Sequence, residues 1–148
     1  MLEYHVLGPN QVQQVYEQVK QYLPDRCRTL DYFIQLYLRK DVMMFELGTF
    51  AGVFWLSDIV PGWRAYAHVI VWDDAARDQS VRGRGILKEL MRLFRLRKLC
   101  ALIPTTFEAA ARFADKLGFA VEGVEKLADY YDGQLVDMMI CGLYKEEV

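Results

Sequence analysis

The segment from Trp63 to Trp72 has the strongest β-strand pattern in this chain. Side chains alternate between the two faces of a strand, and here both faces are apolar. One face takes Tyr66, His68, Ile70 and Trp72, and the other takes alanines and valines. Both faces are therefore predicted to be largely buried, as in the inner strand of a covered sheet.

A pair of glycines follows this strand. Gly83 and Gly85 give the backbone freedom to turn sharply, and apolar residues then recur at helical spacing at Ile86, Leu90, Leu93 and Phe94. The pattern predicts a loop that opens a helix, where backbone N–H groups and the helix dipole favour a phosphate. The alternative is that the glycines make only a tight turn and that Arg82 and Arg84 are solvated.

Basic residues are concentrated in and behind this glycine segment. From Arg82 to Lys98 there are seven basic residues and one acidic residue, a net charge of +6, whereas the rest of the chain has eleven basic and nineteen acidic residues, a net charge of −8. A small, highly phosphorylated ligand fits this pattern better than nucleic acid, whose binders are usually basic overall. The alternative is a solvated helix face.

Length and composition are those of one globular domain spanning residues 1–148, with 53% hydrophobic residues. No stretch is long and apolar enough for a membrane span and the first residues do not resemble a signal peptide, so we expect a cytoplasmic protein without a membrane partner. Three scattered cysteines and two histidines give neither a disulfide framework nor a compact metal-ligand cluster, so no metal is expected.

The remaining patterns set the order of the elements: strand, helix, helix, three strands, glycine loop, helix, strand, helix and a final hairpin. Expected helix caps are Asn10 with Gln13, Thr29, and Thr105 with Glu108. Gly118 is expected to end the last helix, and Asp132-Gly133 to form the hairpin turn.

This order resembles the GNAT superfamily of acyl-CoA-dependent N-acetyltransferases over nearly the whole chain. The segment Arg82-Gly83-Arg84-Gly85-Ile86-Leu87 is similar to the family signature Arg/Gln-x-x-Gly-x-Gly/Ala, and Lys116-Leu117-Gly118-Phe119 is similar to the end of its fourth helix. The resemblance implies an α+β GNAT fold, with a mixed, mostly antiparallel twisted sheet of six to seven strands flanked by four helices. The ribosomal-protein N-terminal acetyltransferase branch is the most similar.

The resemblance also implies which residues bind acetyl-CoA or another acyl-CoA. Backbone amides of the segment from Arg82 to Leu87 would hold the pyrophosphate, and the backbone of Val69, Ile70 and Val71 would pair with the pantetheine arm as an added strand does. Phe107 stands where many members have an asparagine, and Thr105 or Thr106 is the expected replacement for that contact. Leu87 adds bulk to the signature, and Ala114 replaces a tyrosine that protonates the leaving thiolate.

Acetyl transfer requires a neutral amine, a donor to the developing oxyanion and a proton for the thiolate. His68 is the first candidate for the base, with Tyr66 on the same face, and Tyr131 is a candidate for the missing acid. The alternatives are a core histidine bonded to a neighbour and aromatic packing in the hairpin.

The expected function is transfer of an acetyl group from acetyl-CoA to a primary amine of a peptide, a protein N-terminus or a small molecule. Leu87, Phe107 and Ala114 support an alternative, a non-catalytic GNAT-like protein that binds CoA or has a structural role. A homodimer is left open.

Overall fold

The computed structural model describes residues 4–73 and 80–147, and its centre is a seven-stranded mixed sheet in the order β1-β2-β3-β4-β5-β7-β6. Every neighbouring pair is antiparallel except β4 and β5, which are parallel. The strands are β1 (Tyr4–Val6), β2 (Met43–Leu47), β3 (Gly52–Val60), β4 (Arg64–Val71), β5 (Lys98–Pro104), β6 (Ala120–Tyr131) and β7 (Gln134–Tyr144).

Four α-helices accompany the sheet within the described ranges: α1 (Val12–Val19), α2 (Leu30–Leu38), α3 (Ser80–Leu93) and α4 (Glu108–Leu117). Two buried clusters result. One joins α1 and α2 to a face of β2 and β3 that carries Val53 and Trp55, and the other joins α3 and α4 to the opposite face, which carries Phe54 and Leu56. Burial of apolar side chains on both faces drives this arrangement, and it confirms the predicted fold.

Several local predictions are confirmed. The Thr29 hydroxyl accepts a hydrogen bond from the Tyr32 amide at 3.1 Å, which caps α2. Gly118 ends α4 with a φ of 103°, and the Phe119 amide donates to the Ala114 carbonyl. Each of these two helix-end signals depends on a few neighbouring residues, so the sequence was sufficient to predict it.

Other local predictions are wrong. α1 is preceded by a 3₁₀ turn, and Gln11 rather than Asn10 supports it by accepting from the Gly8 amide at 3.0 Å. Thr105 does not cap α4, because its N-cap residue is Phe107 and makes no side-chain hydrogen bond there. β3 also continues to Val60, into the segment 57–62 that the sequence predicts as a turn because it contains Pro61-Gly62, with a shift of register between Ser57 and Val60.

The glycine segment is helical rather than a loop. Gly83 and Gly85 both lie inside α3. Leu93, predicted on the apolar stripe, is 61% exposed, and Met91 takes the buried position. The polar segment 73–80, which the sequence predicts as a loop leading into this helix, falls mostly on residues 74–79, outside the described ranges.

Candidate active site

The two parallel strands at the centre of the sheet separate partway along their length. β4 pairs with β5 only from Arg64↔Lys98 to Tyr66↔Cys100. Beyond these pairs β4 continues against β3, and β5 continues against β7 to Pro104. A split therefore opens between the C-terminal halves of β4 and β5.

The split exposes one edge of a central strand. Within residues 4–73 and 80–147, no strand pairs with the edge of β4 that faces β5 along residues 68–70. Val69, Ile70 and Val71, predicted to bind the pantetheine arm, occupy this half of β4 and are each partly buried. Unpaired strand edges can accept an extended ligand by backbone hydrogen bonding.

Gly83 brings α3 close to the end of α4. A Cβ atom at Gly83 would lie 2.8 Å from Cδ2 of Leu117, and the neighbouring Arg84 donates from Nε to the Lys116 carbonyl at 2.7 Å. The two motifs that carried the resemblance, on α3 and on α4, therefore contact each other. Gly83 serves this packing, a role that the sequence pattern did not reveal.

Gly85 faces open space instead, since a Cβ atom at this position would meet no atom of another element within 4 Å. Ile86 and Leu87 are 6% and 4% exposed and pack into the core. The bulk of Leu87 is therefore directed into the core. Gly85, Ile86 and Leu87 are also beyond the first turn of α3, where backbone amides donate to carbonyls one turn earlier. Arg82 and Gly83 lie in the first turn of α3, at the end of the helix whose dipole favours anions.

His68 lies on β4 just past the last residue pair with β5. Its ring stacks on Trp55, with centroids 4.8 Å apart, and its Nε2 is 3.0 Å from Oγ of Ser57. Burial lowers the pKa of His68 to about 4, although the Asp58 carboxylate opposes this shift. The imidazole is therefore neutral at pH 7, and its contacts are those expected of a histidine packed against its sheet neighbours.

Ser57 and Trp55 are partners of His68 that the sequence did not predict. Both belong to β3, and Trp55 stands directly opposite His68 in the ladder. Their position depends on the register between β3 and β4, which no local pattern displays. Tyr66, the neighbour of His68 on the same face, stands opposite Ser57, and its ring lies 5.8 Å from the Arg64 guanidinium.

Tyr131 is separated from His68 by β5 and β7 in the strand order. It is 9% exposed and packs edge-on against Phe107 at 5.4 Å, and Phe107 in turn meets Tyr22 at 6.3 Å. Burial raises the pKa of Tyr131 to about 12, with the Asp129 carboxylate acting in the same direction. The phenol thus stays protonated at neutral pH.

The positions that depart from the family pattern are occupied by packing contacts. Phe107 belongs to the aromatic group just described, and Ala114 is buried in the core beside α3. Thr105 is exposed, and its backbone amide donates to the Asp137 carbonyl at 3.0 Å. The Thr105 side chain, rather than its amide, is therefore what a ligand could contact.

Neither a metal site nor a membrane helix is found in the described part of the chain. Among those residues, no three His, Cys, Asp or Glu side chains are grouped so that they could hold an ion. No helix there has the length and apolar character needed to span a membrane.

The seven-stranded mixed sheet with its four helices is that of the GNAT fold, and the likeness to solved N-acetyltransferase structures shows that this chain has that fold. No protein-family model and no curated protein matches the sequence. Solved structures do match. The spermidine N-acetyltransferase of Vibrio cholerae, solved with CoA and spermine, has a TM-score of 0.81 at 13% identity, over 99% of this chain and 96% of that chain.

A second similar structure is RimL, a ribosomal-protein α-N-acetyltransferase solved with coenzyme A. It has a TM-score of 0.75 at 19% identity, over 99% of this chain and 96% of that chain. A dodecameric structure of the Vibrio cholerae spermidine enzyme has a TM-score of 0.75 at 13% identity, over 98% of this chain and 94% of that chain. At these identities the likeness establishes the fold.

Proposed function

We propose that this protein is an N-acetyltransferase that moves an acetyl group from acetyl-CoA to a primary amine of low pKa, such as the α-amine of a peptide or protein N-terminus. The observation that carries the proposal is the split between β4 and β5. It offers an extended ligand the backbone edge of residues 68–70 in the middle of an otherwise continuous sheet. The relatives with this fold that were solved with CoA support it.

The residues around the split fit an acyl-CoA. Val69, Ile70 and Val71 would hold the pantetheine arm on the edge of β4. The first turn of α3, which includes Arg82 and Gly83, would face the pyrophosphate, because a helix N-terminus favours anions. Gly85 would let a ligand approach the helix surface, Arg84 would add positive charge, and Ile86 and Leu87 would anchor the helix. Thr105 would contribute its hydroxyl.

When bound, acetyl-CoA supplies an activated acetyl thioester. The amine must arrive neutral, and His68, with a pKa of about 4, is a poor proton acceptor. Transfer of a proton from an α-ammonium group of pKa about 7.8 to such an imidazole would cost about 5 kcal/mol. An α-amine avoids this cost, since about a tenth of it is already neutral at pH 7.

Amines of higher pKa are less suitable acceptors, because more free energy is needed to deprotonate them. An amine of pKa about 10.4, such as a lysine side chain, costs about 3.5 kcal/mol more to deprotonate than an α-amine. Of the acceptors that the similar structures name, spermidine and the ribosomal-protein N-terminus, the second fits better. Burial that raises the pKa of Tyr131 to about 12 makes this phenol a weak proton donor to the leaving thiolate, so Tyr66 beside His68 is the proposed donor, with Tyr131 as the alternative.

The test combines acetyl-CoA binding with an acceptor panel. We expect saturating acetyl-CoA to raise the melting temperature, because ligand at a hundred times its Kd stabilises the native state by about 2.7 kcal/mol. Mass spectrometry should show acetylation of a free N-terminal peptide, in preference to spermidine and to an N-terminally blocked lysine peptide. An unchanged melting temperature would refute the proposal, and binding without acetylation of any amine would favour the non-catalytic alternative.

A variant locates the binding surface. Gly85→Glu adds a negative charge where the helix surface is open, so we expect acetyl-CoA affinity to fall at least tenfold without loss of stability. Gly123→Glu is the matched control, because a Cβ atom at Gly123 on β6 would also face open space. Equal acetyl-CoA affinity in Gly85→Glu and Gly123→Glu would show that the pyrophosphate does not bind at α3.

A further inference from the structure

The end of β4 is bonded to the turn that joins β2 to β3, residues 48–51. The Ala51 carbonyl in this turn accepts from two consecutive amides, that of Trp72 at 3.1 Å and that of Asp73 at 3.0 Å. The indole Nε1 of Trp72 donates to the Phe50 carbonyl at 2.7 Å, and the two rings pack with their centroids 5.1 Å apart. Since β4 lies between β3 and β5, these contacts hold the end of β4 on the side away from the split.

Phe50 adopts a strained backbone conformation in this turn. Its φ of 53° lies in the left-handed region, which bulky residues rarely occupy. Strain of this kind persists only where surrounding contacts hold the backbone in place. Here the Ala51 amide donates to the Leu47 carbonyl at 3.0 Å, and the Phe50 carbonyl is held by the indole of Trp72. The turn is therefore fixed in the conformation that presents its carbonyls to the end of β4.

A glycine brings β3 and β4 very close at the same place. Gly52 is the first residue of β3 and stands opposite Val71. A Cβ atom at Gly52 would lie 2.8 Å from the carbonyl oxygen of Ile70 and 3.1 Å from the Cα atom of Val71. Ordinary van der Waals contact begins at 3.4 Å, and both of these atoms belong to the backbone. A side chain at this position would therefore push the two strands apart.

Of the two strands, β4 is the one that can move. β2 pairs with the other edge of β3, and inner side chains of β3 such as Val53 are fully buried. In the described part of the chain, no strand pairs with the far edge of β4 along residues 68–70. A Cβ atom at Gly52 would therefore displace Ile70 and Val71 into the split. Both of these residues are proposed to bind the pantetheine arm.

We infer that the β2–β3 turn is a clamp that keeps the split open to the pantetheine arm, with Gly52 and Trp72 as positioning residues for acyl-CoA. The clamp is formed by residues 48–52 and Trp72. This inference rests on the proposed function. The clamp acts through the backbone of residues 69–71 and not through α3. Disrupting it should weaken the contacts with the pantetheine arm and leave the pyrophosphate contacts intact.

Two ligands separate this role from a general loss of structure. Calorimetric titration compares acetyl-CoA with 3′-phospho-ADP, the part of CoA that carries the pyrophosphate but lacks the pantetheine arm. In Gly52→Ala we expect the Kd of acetyl-CoA to rise about tenfold, because the added Cβ atom overpacks the β3–β4 contact. The Kd of 3′-phospho-ADP should change less than about twofold. Gly123→Ala, on β6, where a Cβ atom faces open space, is the matched control and should change neither Kd.

Trp72→Phe is a milder second variant, because it keeps a ring against Phe50 and removes only the indole N–H donor. We expect the Kd of acetyl-CoA to rise about three- to tenfold and that of 3′-phospho-ADP to stay constant. The rise cannot exceed the net free energy of the one hydrogen bond that is lost. Trp63→Phe, at the other end of β4 and 50% exposed, is the matched control.

An unchanged acetyl-CoA Kd in either clamp variant would overturn the inference. An equal rise in the Kd values of the two ligands would also overturn it, because general destabilisation would then explain the loss. A wild-type protein that binds neither ligand would instead refute the proposed function, and the role of the clamp with it.

Discussion

The partly buried position of His68, stacked on Trp55, predicts that the stability of this protein falls at mildly acidic pH. An unfolded histidine has a pKa of about 6.5, whereas burial lowers the pKa of His68 to about 4 in the folded state. Because the folded state disfavours the proton, the stabilisation is complete above pH 6.5 and is lost as the pH falls towards 4. Between pH 8 and pH 5, linkage gives a loss of about 2 kcal/mol from this one residue.

The measurement is urea unfolding at pH 8, 6.5 and 5 for the wild type and for His68→Asn. Asparagine can keep a hydrogen bond to Ser57 but does not titrate in this range, so the difference in free energy of unfolding between the two proteins isolates His68. We expect the wild type to lose about 2 kcal/mol relative to the variant from pH 8 to pH 5. If the difference in free energy of unfolding stayed constant with pH, or favoured the wild type at pH 5, His68 would not be neutral at pH 7. The argument for an acceptor amine of low pKa would then fail as well.

Two further predictions concern the helix and the reaction. Gly83→Ala and Gly85→Ala gain the same helix propensity, but only Gly83→Ala places a Cβ atom 2.8 Å from Cδ2 of Leu117. We therefore expect Gly83→Ala to be less stable than Gly85→Ala by about 1–3 kcal/mol in urea unfolding. Equal stabilities would contradict the close packing of α3 on α4. The kcat/KM for a peptide α-amine should rise almost tenfold per pH unit between pH 6 and 7 and level off above about pH 8, as the neutral amine becomes dominant. A profile already flat at pH 6 would show that a group of the protein removes the proton.

The local signals in the sequence predicted the elements well wherever a few adjacent residues decide the outcome. The Thr29 cap, the left-handed Gly118 and the Asp132-Gly133 turn were all predicted, because each depends on the conformational preferences of its own residues. Capping failed at Thr105. The Thr105 backbone amide donates instead to the carbonyl of Asp137 on β7, a residue that is distant in the sequence.

The glycine segment shows the same limit. The Gly83-Arg84-Gly85 pattern predicted a loop, whereas both glycines lie inside α3. Gly83 contacts Leu117 on another helix, whereas Gly85 is open, and only the packing of α3 on α4 distinguishes them. Leu87 looked like an obstacle to a ligand, yet it is part of the core.

The sequence by itself determined the order and type of most elements, because hydrophobic periodicity and turn chemistry are local properties of the chain, and its resemblance to the GNAT superfamily implied the fold. Tertiary structure alone decided where β4 and β5 separate, which partners surround His68, and how Trp72 reaches the β2–β3 turn. These features depend on strand register and on contacts between distant segments. A one-residue shift of register would turn His68 to the other face of the sheet, and no short stretch of sequence specifies that choice.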